Sequence, residues 1–435
     1  MTLQRIVGYT SDMSETIDKP GKLDNVIQLY PWGSRTLIPE LLGIPNRNNK
    51  PHAEVWMGVH PRGPSKITLR SGKQVALAGA VEALPVGFLG ASADKRFGGK
   101  LPFLFKVLAA EQPLSIQAHP DRQQAEDGFD REEKLGLAVD DYSRNYRDRN
   151  HKPEIICALT PFTAMCGFRE PQAIHSLYGE INSDIYRDQV APSVGPENEQ
   201  AWIKEFFTNL MKLPGGASQI LVEDVIAWAS GRGEAGEGSG FGEASGREEA
   251  GLIQRFAGHF GTDPGIQAPL FLNIVRLKPG EALYQPAGVL HAYVQGMGVE
   301  LMANSDNVLR GGLTQKHVDT EELLKVLSFV PGMADVQAGT AIGPFTYRYE
   351  IPIDEFELLR VHSRQDTTIA RSGRSSVEIC LCTSGKFSLL SDKRAGEGIP
   401  KISRGESFVV PYSFGGYSFS GQGTIYIATI PQVKG

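Results

Sequence analysis

The sequence predicts a mainly β protein with an α-helical domain inserted into it. Three observations carry that prediction. Between Gly58 and Gly99 short apolar runs alternate with Gly and Pro, as in VHPRGPSKITLRSGKQVAL, the spacing of short strands in a sandwich or barrel. In NEQAWIKEFFTNLMKL, Trp202, Ile203, Phe206, Phe207, Leu210 and Met211 recur at spacings of three and four, one apolar face of a helix. From Phe271 strand patterning returns and persists to the C-terminus. The order strands, helices, strands places a helical unit inside or beside β units.

Taken in order, residues 101–119 continue the first β stretch, with FLFKVL followed by LSIQAH. A second helical run, SQILVEDVIAWAS, follows the turn signal Pro214-Gly215-Gly216. Residues 231–246, GRGEAGEGSGFGEASG, hold seven glycines and too little apolar surface to offset chain entropy, which predicts a mobile loop within the helical region. Gly280-Glu-Ala-Leu-Tyr-Gln-Pro286 is echoed by Gly405-Glu-Ser-Phe-Val-Val-Pro411, so two related β units are expected. The first copy runs on to His291. The second has Gly416 at that offset and is expected to be chemically empty. The predicted division is a catalytic β unit from 1–168 and 263–345, a helical unit over 169–262, and a C-terminal β unit over 346–435.

Composition narrows the function classes. The chain has 435 residues, which at roughly 100–200 residues per domain suggests two to four domains. Its 44 basic and 50 acidic residues give a net charge of −6 with no long basic block, which argues against a nucleic-acid or anionic-membrane partner and leaves room for a small phosphorylated ligand. No run approaches the roughly 18 apolar residues of a membrane helix, and the N-terminus lacks the apolar stretch of a secretory signal. Four cysteines with no Cys-x-x-Cys exclude a disulfide scaffold and a cysteine zinc cluster. A soluble cytoplasmic protein is the expectation.

Four stretches carry chemistry. In Leu114-Ser-Ile-Gln-Ala-His119-Pro120, strand parity puts Ser115, Gln117 and His119 on one face and Ile116 and Ala118 on the other, the pattern of a polar pocket wall. In Tyr146-Arg-Asp-Arg-Asn-His151-Lys152-Pro153-Glu154, parity pairs Lys152 with Glu154, and Pro153, which has no N–H, confines the stretch to a strand start or sheet edge. Gly280-x5-Pro286-x-Gly288-x2-His291-x3-Gln295 resembles the second signature of the cupin superfamily, in which a turn aims the His at a metal, with Gln295 where that pattern usually has Asn. Gln117, His119, Glu154 and His291 thus form a candidate donor set, suited to zinc and also to other divalent first-row ions. The fourth stretch, Glu300 to Lys316, gathers Glu300, Asp306, Arg310 and Lys316 around Gly311-Gly312 directly after the metal-type strand.

These residues resemble one family closely, the type I mannose-6-phosphate isomerases (phosphomannose isomerases). Its motif Tyr-x-Asp-x-Asn-His-Lys-Pro-Glu stands unbroken from Tyr146 to Glu154. Tyr30-Pro-Trp32-Gly-Ser34, Ala53-Glu-Val-Trp-Met-Gly-Val-His-Pro61, Gln117-x-His119-Pro120 and the run to Arg310 are similar as well. The match spans about residues 23–316; the first twenty residues and the glycine-rich insert have no counterpart.

The resemblance implies cupin-type jelly-roll β-sandwiches, one metal-binding and one metal-free, with one zinc ion per chain held by Gln117, His119, Glu154 and His291. It implies interconversion of mannose 6-phosphate and fructose 6-phosphate by enediol-type proton transfer, supplying mannose 6-phosphate for GDP-mannose synthesis. It places Lys152, Glu300, Asp306 and Arg310 near the sugar, with Trp32 and Lys106 also facing it, and Ser115 and Lys316 near the phosphate. Lys152 is the expected proton shuttle and His151 its competitor, on the opposite strand face. Asp306 would help ring opening, and the planar Arg310 would hold substrate oxygens. A monomer acting on a small phosphorylated hexose is expected. Two other classes share the barrel: a non-haem iron oxygenase, which usually has His where Gln117 stands, and a sugar-binding or storage cupin, which leaves Lys152, Asp306 and Arg310 without a role.

Overall fold

The computed structural model describes residues 19–432 apart from 70–71, 233–245, 393–398 and 400. The glycine-rich segment is therefore outside the described residues except for Gly231, Arg232 and Gly246, as are the first 18 residues. Among the described residues, no helix is long and apolar enough to cross a membrane.

Two antiparallel sheets organise the chain, one of 11 strands and one of 10. The first is built on the 13-residue strand His291–Ala303. Its C-terminal half pairs with Phe103–Ala110 on one side and Glu154–Ala158 on the other. Its N-terminal half pairs instead with Ile116–Ala118 and Phe162–Phe168. One strand thus feeds two ladders, and the chain folds over to enclose an interior between them.

The change of partners happens around Gly296, at φ +118°. A Cβ there would sit 2.6 Å from the Pro161 carbonyl and 2.8 Å from the Phe162 Cα, both backbone atoms unable to yield cheaply. Gly296→Ala is expected to destabilise the fold by about 2–4 kcal/mol, read as a lowered denaturant midpoint with unchanged slope.

Strand parity sorts the side chains. Ile155 and Cys157 join a core outside this interior, together with Val107, Val299 and Leu301 and with Leu358, Ile379 and Tyr426 of the C-terminal strands. Leu108, Ala110, Ile156, Ala158, Ala164 and Tyr293 fill the interior itself. Continuing along the same strand faces, Glu154, Lys106 and Glu300 extend that apolar interior at one end and are all buried. This polar end is where the site lies.

Helices occupy the connection between Phe162–Phe168 and Leu272–Leu277, which pair antiparallel with Phe168 opposite Leu272. Glu199–Met211 buries Trp202, Ile203, Phe206, Phe207 and Leu210, and Gly215–Ser230 buries Leu221, Val222 and Val225. These residues share a core with Ile116 and Ala118, so the helices back the strand whose middle residue is Gln117.

The 10-stranded sheet contains the C-terminal strands, among them Tyr417–Thr429, also 13 residues long. Gly280 and Gly405, heads of the repeated segments, share a positive φ of 89° and 85°. At Gly416, the position matching His291, the space a Cβ would take is occupied by the end of the exposed Asp392 side chain at 2.4 Å, and the glycine offers no ligand atom. Strands Gly21–Asp24, Lys66–Thr68 and Gln74–Ala76 extend this same sheet through the pairing of Gly21 with Val409. Residues before 77 are therefore shared between both sheets.

One sequence expectation is corrected. Residues 77–97 form short helices, Leu77–Ala83, Pro85–Leu89 and Ala91–Phe97, where the Gly and Pro spacing predicts strands. Pro85 sits in the first helical turn and Gly98 ends the last helix in the left-handed conformation, so this punctuation marks caps instead of strand ends.

Candidate active site

Three short devices bring the donors together. Ile116–Ala118 delivers His119 at its end, and Pro120 and Asp121 then start the helix Arg122–Lys134. Asp121 accepts from the Gln124 N–H while Gln124 bonds back, a capping box. The turn Pro286–Gly288 delivers His291. Gly288, at φ +78°, donates its N–H to the His119 carbonyl at 2.8 Å, which ties the two histidine segments to each other. Glu154 opens its strand, and the Pro153 carbonyl before it accepts from the Ala303 N–H.

The ligand atoms of His119, Glu154 and His291 lie within 4.8 Å of one another and all three side chains are buried. Each imidazole Nε2 is 3.5 Å from a different Glu154 oxygen. The Nδ1 atoms face backbone carbonyls, His119 at 2.8 Å from Asn307 O and His291 at 2.9 Å from Val289 O. Carbonyls only accept, so both Nδ1 atoms carry a proton, and the neutral form of each ring presents its lone pair at Nε2. His119 Nε2, His291 Nε2 and Glu154 Oε2 are buried with no hydrogen-bond partner. Three convergent acceptors without a donor constitute a site for a divalent cation. Burial, then Lys152, pushes His119 down to about 4, so it is neutral and available near pH 7. Burial opposes ionisation of Glu154, yet Lys152 and His119 hold its carboxylate well below the usual range.

Gln117 stands directly opposite His291 on one side and Arg310 on the other, which puts the three on one face of the sheet. Lys152 Nζ is 3.0 Å from Glu154 Oε1. Lys106 lies 2.9 Å from Glu300 and 3.7 Å from Glu54. Burial alone would depress the Lys106 ammonium, but Glu300 and Glu54 hold it well above its ordinary value. Asp306 is 3.4 Å from His60 Nε2 and bonded by Arg62. Burial opposes its ionisation, but His60 and Arg62 bring it down to about 2.

His151 is placed apart from this group. Its Nε2 meets Glu355 at 2.8 Å and Arg122 at 3.1 Å, so its ring is engaged with the segment leading to the C-terminal strands. Trp32 packs against the interior core that includes Tyr293. Ser115 is half-buried, just ahead of the Ile116–Ala118 strand.

A cationic edge completes the site. Tyr142 donates to the Gln315 carbonyl at 3.2 Å and the Arg147 N–H donates to Asn307 Oδ1 at 2.7 Å, so residues 142–147 run alongside 307–315. Burial, then Arg147, depresses Arg310, and burial, then Arg310 and Arg147, depresses Lys316. Among the described residues these three cations have no carboxylate partner, whereas Arg62, Arg122, Arg131 and Arg144 each have one. A cluster of like charges without counter-charge fits an anion. Arg147, Arg62, His60 and Glu54 were not singled out from sequence as site residues. The available signal was their position inside motif segments, Arg147 next to Tyr146 and the others within or just after Ala53–Pro61.

The family model for phosphomannose isomerase type I, catalytic domain, matches residues 21–171. The mannose-6-phosphate isomerase of Salmonella typhimurium is 39% identical over 381 residues, covering 86% of this chain and 91% of that protein. The chain belongs to the type I phosphomannose isomerase family. The Bos taurus mannose-6-phosphate isomerase is 34% identical over 360 residues, covering 78% of this chain and 81% of the relative. A crystal structure of zinc-bound mannose 6-phosphate isomerase superimposes with a TM-score of 0.83 at 34% identity, covering 95% of this chain and 100% of the other. A mutant of the Salmonella typhimurium phosphomannose isomerase does so with a TM-score of 0.83 at 35% identity and the same coverage. This family member therefore has the mainly antiparallel fold of solved phosphomannose isomerases, with its buried His–Glu–His cluster at the polar end of the first sheet.

Proposed function

We propose that the chain is a zinc-dependent aldose–ketose isomerase interconverting mannose 6-phosphate and fructose 6-phosphate. The observation that carries this reading is the trio of orphaned buried acceptors on His119, Glu154 and His291 beside Lys152, in a chain of this family. Those three and Gln117 would hold one zinc ion, which when bound polarises the carbonyl and adjacent hydroxyl of an open-chain sugar. Lys152 removes the proton from C2 and returns it to C1, while the hydroxyl proton on O2 passes to O1, so nothing is gained or lost overall. The contact of His151 with Glu355 supports Lys152 over His151 as the shuttle. Asp306, ionised at working pH, takes the proton of the anomeric hydroxyl as the bond from C1 to the ring oxygen breaks, and returns that proton to the ring oxygen. Arg310 holds the substrate oxygens, with Lys106, Glu300 and Trp32 around the sugar.

The phosphate lies at the cationic edge against Ser115, Lys316 and Arg147. Arg147→Ala is expected to raise KM for mannose 6-phosphate about 10–100-fold, the worth of a charged hydrogen bond, with kcat changed only a few-fold. Steady-state kinetics checks this.

The same proposal covers two cupin-type jelly rolls, a catalytic one from 1–168 and 263–345 and a metal-free one over 346–435, with 169–262 as an inserted helical domain. It also covers a cytoplasmic monomer supplying mannose 6-phosphate for GDP-mannose synthesis. The test is incubation of purified protein with mannose 6-phosphate in deuterated water. Fructose 6-phosphate carrying solvent deuterium is expected. No product would overturn the function, and product free of solvent deuterium, with the C2 hydrogen carried wholly to C1, would replace proton transfer with a hydride shift.

A further inference from the structure

Asn307 has no exposed surface. Its side chain is nonetheless fully used. Oδ1 accepts from the Arg147 N–H at 2.7 Å and the Asp148 N–H at 3.2 Å. Nδ2 donates to the Asp148 carbonyl at 2.8 Å and the Asn150 carbonyl at 2.9 Å. Two lone pairs and two protons are the whole capacity of a carboxamide, so its orientation is fixed and no other residue type matches it. Around it the two segments are stitched further: the Asp306 N–H donates to Asp148 Oδ2 at 2.8 Å, and Ser305 Oγ donates to the Asn150 carbonyl at 3.2 Å. The backbone carbonyl of the same Asn307 takes the His119 Nδ1–H at 2.8 Å.

We propose that Asn307 is the positioning residue that fixes His119 as a metal ligand and sets the Arg147–Asn150 segment against it. The segment it clasps leads within a few residues to Lys152 and Glu154, and it carries Arg147 at its other end. One buried amide therefore joins the metal ligands to the anion edge. Loss of the clasp frees the Asn307 backbone, and with it the acceptor that selects the His119 tautomer. Groups that orient metal-bound imidazoles are typically worth about 10–100-fold in metal affinity. Only the link to substrate rests on the isomerase reading; the link to the metal does not.

The experiment compares wild type with Asn307→Ala and Asn307→Asp. The second keeps the volume but turns an oxygen toward the two carbonyls that Nδ2 served. Zinc affinity is measured on metal-free protein by competition with a chromophoric chelator, and the His119 tautomer by ¹⁵N-histidine NMR. Both variants are expected to bind zinc about 10–100-fold more weakly, to lose the uniform Nδ1–H tautomer at His119, and to keep the wild-type circular dichroism at 25 °C with a lowered metal-free denaturation midpoint, since four buried hydrogen bonds lose their partner. A raised KM for mannose 6-phosphate is expected alongside. Zinc affinity within twofold of wild type with an unchanged tautomer overturns the proposal. Failure of both variants to fold also overturns it, in favour of an architectural role. The zinc and NMR readings need no turnover, so they stand even if the chain fails to isomerise the sugar.

Discussion

Glu154→Gln is expected to abolish tight zinc binding and to lower the isomerisation rate by at least about three orders of magnitude. Among the described residues this carboxylate is the one anion facing both imidazoles, with each oxygen 3.5 Å from one Nε2. Replacing it leaves two imidazoles and two amides, that of Gln117 and the introduced one, facing a dication beside Lys152, and the charge balance turns against the metal. A Lewis acid worth several kcal/mol of transition-state stabilisation is lost with it. Glu154 is also the ion-pair partner of buried Lys152. Breaking a buried pair from one side costs about 3–5 kcal/mol, so the stability of the variant has to be measured beside its metal content. His291→Ala separates the two effects, since it removes a ligand and leaves the Lys152 pair in place. Both variants are expected to be metal-poor and inactive. A metal-loaded, active Glu154→Gln protein would remove Glu154 from the ligand set.

Lys152→Met is expected to lower kcat about 10²–10⁴-fold, the usual worth of a positioned acid–base group, with KM within a few-fold and zinc retained. The two lysines near the metal are held differently. Lys106 is paired to Glu300 and Glu54, which hold its proton firmly, so it serves as a fixed positive charge. Lys152 contacts Glu154, the residue that the metal would share. Partial rescue of Lys152→Met by small primary amines is expected, together with slower solvent deuterium incorporation. Activity within tenfold of wild type would assign the proton to another group.

Much of this architecture is local and therefore readable. The helical face at Trp202–Leu210 follows from spacing alone, and the repeated Gly-strand-Pro segments follow from turn chemistry. His119, Glu154 and His291 each stand beside a strong backbone signal: Pro120 with a helix cap, Pro153 at a strand start, and the Pro286–Gly288 turn. Residues 77–97 misled because Gly and Pro punctuate helices as well as strands, and the Ala- and Leu-rich segment between them carries little alternation. What could not be read was long-range. One edge of Gly21–Asp24 pairs almost four hundred residues away in sequence, at Phe408 and Val409. The pairing of His151 with Glu355 and of His60 with Asp306 likewise joins segments that no local pattern connects. Asn307 gave no signal because a buried amide is recognisable only by the carbonyls and amides around it.

The most direct measurement is the zinc content of the purified chain, determined together with its conversion of mannose 6-phosphate to fructose 6-phosphate before and after chelation. One zinc per chain, activity falling in step with its removal, and recovery on adding one equivalent back are the expected results. Full activity in a protein stripped of metal would contradict the account at its centre.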